Sequence, residues 1–543
     1  MSASLAIVGA RRRVLVVVVL AAAAVALWFG WKKLGFVCDD AYIAFRYVAN
    51  RHAGRGYTWN PPPFRPVEGY TSFLWIALLD VAWLLAGVEP PDAAKWLGLA
   101  CAYASVGLVG AMALRMRMSE GLARARVAVL AIVLAGVLSN RTFLAWTSSG
   151  LEAPLFVALV LAWVYGTVFA KDGGRTDLAR VACASALLLC RPEGVLFVVA
   201  SVVQVAPRVR SPRGWLALAP IAAPLAHVAW RRAYYGEWLP NTYFAKFVGV
   251  WPEAGAIYAL SFVLEYAYWV WLALALAVLL RAIRSGFAGR LWSERRGHVV
   301  AAVALGAHFS YYTLVIGGDH FEFRVYAHLV PLIALSLPRL ADALGWPASR
   351  TLAVSAIAVA LGAPIPWIHW VDARTDTDWS QRRAHLVAPR FPAPLSLYAE
   401  AWDATQAYLR ERLVCIRHNE HKAFVRFMRT QLPTREEGSK ATWGDFPIAG
   451  VGSVGLAGWM LPNVALIDLR GLNDRVIART PPTVVAGRPR AMAHDREPPP
   501  GYLDCFRPNV GSGPQGLVVM PRTPPPMTGA EIIACETRFA VAP

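Results

Sequence analysis

Long apolar runs separated by short basic loops decide what this chain can fold into. Residues 14–31, 96–114, 299–316 and 352–370 are each apolar enough to read as a helix of the ~18 or more residues that crosses a bilayer. The 543-residue chain is 57% hydrophobic and 16% charged, with a mean hydropathy of +0.42. That leaves too little polar surface for a soluble protein of this length. The net charge of +19 would suggest nucleic acid in a soluble protein. Here many Lys and Arg residues sit in the short loops, where they set topology, so no nucleic-acid partner is expected.

The positive-inside rule assigns each loop to a side. Arg11, Arg12 and Arg13 hold the N-terminus in the cytoplasm. No small-residue cleavage site stands before Lys32 and Lys33, so residues 14–31 read as an uncleaved helix rather than a signal peptide. If residues 71–88 crossed, Arg115, Arg117, Arg124 and Arg126 would fall outside; they are therefore expected to form an amphipathic helix at the outer interface. Residues 127–138, 154–169, 181–190, 195–205, 216–230, 269–280 and 325–337 supply the other crossings. The expected fold is a polytopic α-helical membrane protein with about 11 transmembrane helices. Its membrane domain is 1–371, with the outer loop 35–95. Arg191 and Glu193 interrupt one pair of crossings. Charge at mid-bilayer costs roughly 2.5–3.5 kcal/mol on insertion scales, so they are expected to pair or to face a cavity. From residue 372 apolar runs shorten and Pro, Asp, Arg and Thr rise, which predicts an extracytoplasmic mixed α/β domain over 372–543. Residues 464–468 read as a buried strand ending in a polar turn. The seven cysteines show no metal spacing; Cys505 and Cys535 either form a disulfide or remain thiols.

The outer loops collect the chemically able residues: Asp39, Asp40, Glu68, Tyr70, Glu152, Glu237, Asn241, Lys246, Asp319, His320 and Arg324. A transporter more often spreads polar groups along helices near the midplane, so one crowded face suits an enzyme at the bilayer edge. Each has a plainer role available. Asp39 and Asp40 can cap a helix, as can Glu68 and Glu152. Trp238, Tyr243 and Phe244 suit an interfacial belt. The chemistry that fits the set is glycosyl transfer from a lipid-phosphate sugar. A leaving phosphate needs positive charge, and an acceptor hydroxyl needs a carboxylate base. Asp39 and Asp40 are the catalytic candidates. Lys246, His320, Arg324 and Asn241 are candidates for the donor phosphate, and Glu68, Tyr70, Glu152 and Asp319 for substrate. A divalent cation is an open question, with Asp40, Asp319 and His320 as its candidate ligands. The rival readings are a non-catalytic envelope or motility-associated protein of the same fold, and a lipid-linked sugar flippase.

Five motifs carry a resemblance: Asp-Asp-Ala-Tyr-Ile after the first crossing, the 67–75 stretch VEGYTSFLW, the 239–246 stretch LPNTYFAK, Gly317-Gly-Asp-His320, and Gly471-Leu-Asn-Asp474 with Arg479. Together they resemble the GT-C membrane glycosyltransferases, and within them the terminal β-(1→2)-arabinofuranosyltransferase family of mycobacterial cell walls. The resemblance implies a polyprenyl-phosphate sugar donor, a glycan or glycolipid acceptor and inversion at the transferred sugar. It implies Asp39 as general base with Asp40 as helper, and a C-terminal extracytoplasmic domain that binds glycan. It places the work at the outer face of a bacterial cytoplasmic membrane. Arabinofuranose is the sugar that the family name supplies.

Overall fold

The computed structural model describes residues 2–209, 212–246, 249–286, 291–375, 385–441, 446–483, 489–513, 516–519 and 527–540. Among them, four helices are long and apolar enough to cross a membrane: Ala10–Leu34, Pro90–Arg115, Arg295–Ile316 and Ala348–Ala373. They match the four longest apolar runs, and the protein is a polytopic α-helical membrane protein. The remaining apolar segments are shorter or broken. Arg126–Leu138 has 13 residues and rises ~20 Å, less than a ~30 Å hydrocarbon core. The segment 216–230 is divided, with its regular helix confined to Ala222–Tyr235.

One departure from the expected topology lies at 252–284. Helices Pro252–Glu265 and Trp269–Arg284 meet at 99°, so the first turns sharply away from the second. Ala267 sits at the bend with φ +51°, a left-handed conformation uncommon outside glycine. Helix Phe73–Ala86, the expected interfacial segment, leaves Val81, Leu84 and Leu85 exposed while Trp75, Ile76 and Leu79 are buried.

The C-terminal region contains a parallel strand pair, Ile448–Val451 with Ala465–Asp468, joined through helix Val454–Met460. The second strand is buried throughout, as its run of apolar residues requires. Cys505 and Cys535 are disulfide-bonded. Residue 371 marks a change in composition but not in packing. Leu409, Val414, Val454, Leu456, Trp459 and Leu466 share one continuous core with Cys38, Ala41, Phe45 and Tyr47 of the 35–95 segment.

The helix that joins the two regions is Asp39–His52. Asp39 and Asp40 in its first turn and Arg51 and His52 in its last complement the helix dipole. Every residue from Ala41 to Asn50 is buried. Arg46 is 1% exposed and has no carboxylate partner among the described residues. It donates to the carbonyls of Trp59 at 2.7 Å, Gly458 at 2.8 Å, Leu461 at 3.1 Å and Val464 at 2.8 Å.

Candidate active site

The two adjacent aspartates have different surroundings. Helix Val454–Met460 starts with unpaired N–H groups, as every helix does. The Asp39 carboxylate fills that need across the fold: Oδ1 accepts from Leu456 N at 2.8 Å and Oδ2 from Gly455 N at 3.2 Å. Burial pushes Asp39 up to about 7, against the pull of those N–H groups. Asp40 is half-buried, and its carboxylate has no hydrogen bond or ion pair among the described residues. Gly455 allows the approach, since a Cβ there would lie 1.9 Å from the Asp39 carbonyl oxygen. Gly455→Ala is therefore expected to displace the short helix and lower the melting temperature by several degrees, measured on the purified protein in nanodiscs.

The loop from Gly317 to Arg324 is stitched to the C-terminal region. Cys415 N donates to Asp319 O at 2.9 Å, Ile416 N to His320 O at 2.8 Å, and Glu322 N to Ile416 O at 3.0 Å. His320 Nδ1 lies 2.8 Å from Leu413 O. The His320 ring is 5.1 Å from that of His494 and 5.3 Å from that of His421, centroid to centroid. Burial and the neighbouring His494 push His320 down to about 4, while the Asp40 charge opposes the shift. His494 is lowered mainly by burial, again opposed by Asp40. Both rings are thus neutral at neutral pH, and Asp40 lies within electrostatic reach of each.

Beneath this loop is a fully buried ion network. Arg141 contacts Glu322 at 2.6 Å and Glu265 at 3.4 Å, and Arg417 contacts Glu265 at 2.6 Å. Two cations against two carboxylates keep the site balanced, which a low-dielectric interior demands.

The other expected site residues are distributed unevenly. Arg324 pairs with Asp319 at 2.8 Å and lies 4.2 Å from the Phe321 ring centre. Lys246 ends helix Asn241–Lys246, is exposed, and makes no ion pair among the described residues. Asn241 has its amide in use: Nδ2 donates to Gly471, Leu472 and Asp474 carbonyls at 2.8–3.1 Å, and Oδ1 accepts from Arg479 at 3.2 Å. It has little capacity left for a phosphate. Glu68 is buried against Arg231. Tyr70 is buried, its hydroxyl 3.1 Å from that of Tyr235. Glu152 does not cap its helix; it pairs with Arg191 at 2.5 Å, which also holds Glu193 at 2.5 Å. These three carboxyl and hydroxyl groups face protein partners rather than an open site. Among the described residues, no group of three or more His, Cys, Asp or Glu side chains is placed to hold a metal, so Asp40, Asp319 and His320 do not form such a set.

Several of the motif residues meet in one joint. Tyr47 Oη lies 2.9 Å from Asn473 Oδ1 and accepts from Gly69 N at 2.8 Å. Asn241 holds the same 471–474 turn. Sequence reasoning missed His421, His494, Arg46 and the buried network. His494 is a lone histidine in a Pro- and Arg-rich stretch, and only the tertiary fold brings it to the 317–324 loop.

The protein is thus a polytopic helical membrane protein with an acidic loop near a histidine-bearing one. The chain is similar to the terminal β-(1→2)-arabinofuranosyltransferases of Corynebacterium glutamicum (29% identical over 354 residues) and Mycobacterium tuberculosis (30% over 350). Each match covers 58% of this chain, and 48% and 54% of the respective relatives. The chain thus spans about half the length of the curated relatives it matches. A crystal structure of ArnT from Cupriavidus metallidurans bound to undecaprenyl phosphate overlays with a TM-score of 0.47 at 15% identity, covering 83% of this chain and 85% of that one. No family model matches the chain.

Proposed function

We propose that the protein is a membrane glycosyltransferase that moves a sugar from a polyprenyl-phosphate donor to a cell-envelope glycan or glycolipid. The work is placed at the outer face of a bacterial cytoplasmic membrane. The observation that carries this reading is Asp40: a carboxylate free of partners among the described residues, beside neutral histidines, in a chain similar to two arabinofuranosyltransferases. In the proposed step, Asp40 takes the proton of an acceptor hydroxyl as its oxygen bonds to the anomeric carbon. The bond from that carbon to the phosphate oxygen breaks, and its electron pair leaves with the phosphate. Attack opposite the leaving group inverts the configuration. Lys246 and Arg324 supply positive charge for the phosphate, Lys246 more freely because Arg324 already pairs with Asp319. Asp39 seats the helix that carries its partner N–H groups. Arabinofuranose is the proposed sugar, by similarity to the named relatives. The Cys505–Cys535 disulfide supports an extracytoplasmic C-terminal region, because disulfides persist in oxidising compartments.

The test is incubation of the protein in nanodiscs with a panel of polyprenyl-phosphate sugars and an envelope glycan, followed by mass analysis. One added sugar on the glycan is expected from at least one donor. Failure with every donor overturns the reading. Movement of donor between vesicle leaflets with no acceptor present, and no glycan product, would favour the flippase instead.

A further inference from the structure

His320 and His494 come from regions 174 positions apart, and their rings meet at 5.1 Å with the same hydrogen-bonding pattern. Each has its Nδ1 against a backbone carbonyl: His320 on Leu413 O at 2.8 Å and His494 on Met492 O at 2.6 Å. A carbonyl only accepts, so in each ring Nδ1 carries the hydrogen. A neutral imidazole then has its lone pair on Nε2. Neither Nε2 has a hydrogen-bond partner among the described residues. Both side chains are half-buried, and their rings lie 5.1 Å apart, centroid to centroid. Behind them His421 is 6% exposed with its own Nε2 unpartnered, and its ring stacks on Phe321 at 4.5 Å.

We propose that His320 and His494 form a hydroxyl-recognition subsite beside Asp40, in which both Nε2 lone pairs accept hydrogen bonds from the sugar that offers its hydroxyl to the carboxylate. This rests on the glycosyltransferase reading and adds a residue, His494, to it. Three acceptors and no donor suit a polyhydroxylated ring. They do not suit a phosphate, whose oxygens are acceptors themselves, so His320 moves from the donor-phosphate group to the sugar group. His320 lies beside the Phe321–Ile416 bridge, and the His494 segment is tied to the other side of that bridge by Met492 N donating to Arg412 O at 2.8 Å.

The test uses the full chain in nanodiscs with synthetic oligosaccharide acceptors and their single-deoxy and deoxyfluoro derivatives. In the native protein, removal of one or two particular hydroxyls is expected to lower kcat/KM by roughly 10- to 100-fold. Fluorine should not rescue it, since fluorine cannot donate. In His494→Ala and His320→Ala the parent acceptor falls and the deoxy acceptor does not, so the ratio shrinks to about threefold or less. The ratio is taken within one preparation, so partial unfolding cannot produce it. Equal losses for parent and deoxy acceptors, or an unchanged ratio, overturn the subsite while leaving the enzyme reading intact. If the native protein transfers no sugar, the enzyme reading fails separately. Calorimetric binding of the same oligosaccharides to native and His494→Ala protein then decides the subsite, and equal affinities overturn it.

Discussion

Asp40→Asn is expected to lower the rate of sugar transfer by about 10²- to 10⁴-fold, the contribution of a positioned general base, with thermal stability unchanged. The carboxylate makes no hydrogen bond or ion pair among the described residues, so its loss removes chemistry and no fold contact. Asp39→Ala is expected to behave differently. It leaves the N–H groups of Gly455 and Leu456 without acceptors. Losing such a cap costs about 1–2 kcal/mol, and activity would fall through displacement of the helix rather than loss of the base. The pH–rate profile separates the two. Burial raises Asp39 to about 7, so a base at Asp39 would give kcat/KM an acid limb near that pH. The same raised value has a stability sign. The folded state holds the proton more tightly than the unfolded chain, so Asp39 opposes folding increasingly as pH rises from about 4 through 7. An acid limb near pH 7 that vanishes in Asp39→Asn, together with an active Asp40→Asn protein, would return the base to Asp39 as the family resemblance implies.

The sequence made some of this legible for physical reasons. A run of apolar residues long enough to span is a local property, so the four long helices could be read directly. The 464–468 strand is equally local. An unpaired charge there is too costly, so Arg191 and Glu193 must pair or face a cavity, and they pair. The 99° bend before Trp269 was hidden because no proline or glycine marks it; Ala267 takes the strained conformation. The division of labour between Asp39 and Asp40 was hidden because the groups that occupy Asp39 are over 400 residues away. A separation of 174 positions from His320 likewise concealed His494. The motifs around Asn241 and 471–474 were recognisable as a pattern, but their contacts hold the two regions together, and a pattern does not say whether a residue binds substrate or backbone.

Arg46→Met is expected to separate the C-terminal region from the 35–95 segment. The substitution keeps much of the buried volume and removes every donor. The Gly458 and Val464 carbonyls then lose their partner in a dry interior, while Trp59 O keeps Asn50 Nδ2 at 3.0 Å and Leu461 O keeps Val464 N at 3.3 Å. Each unsatisfied buried group costs about 1–3 kcal/mol, so with partial relaxation a total of about 2–4 kcal/mol is expected. Removing the charge itself gives some back, since no carboxylate neutralises it. Arg46→Lys restores an ammonium with three donors on a flexible stem, and should recover part of the loss. Hydrogen exchange reads the outcome by region. In Arg46→Met, strands Ile448–Val451 and Ala465–Asp468 should exchange faster while the four long helices keep their protection. Transfer activity should fall with them, because Gly455, Leu456 and His494 reach the site from that side. Unchanged exchange in the two strands would mean that the C-terminal region is a self-standing domain, and that its shared core with the 35–95 segment adds little to its stability.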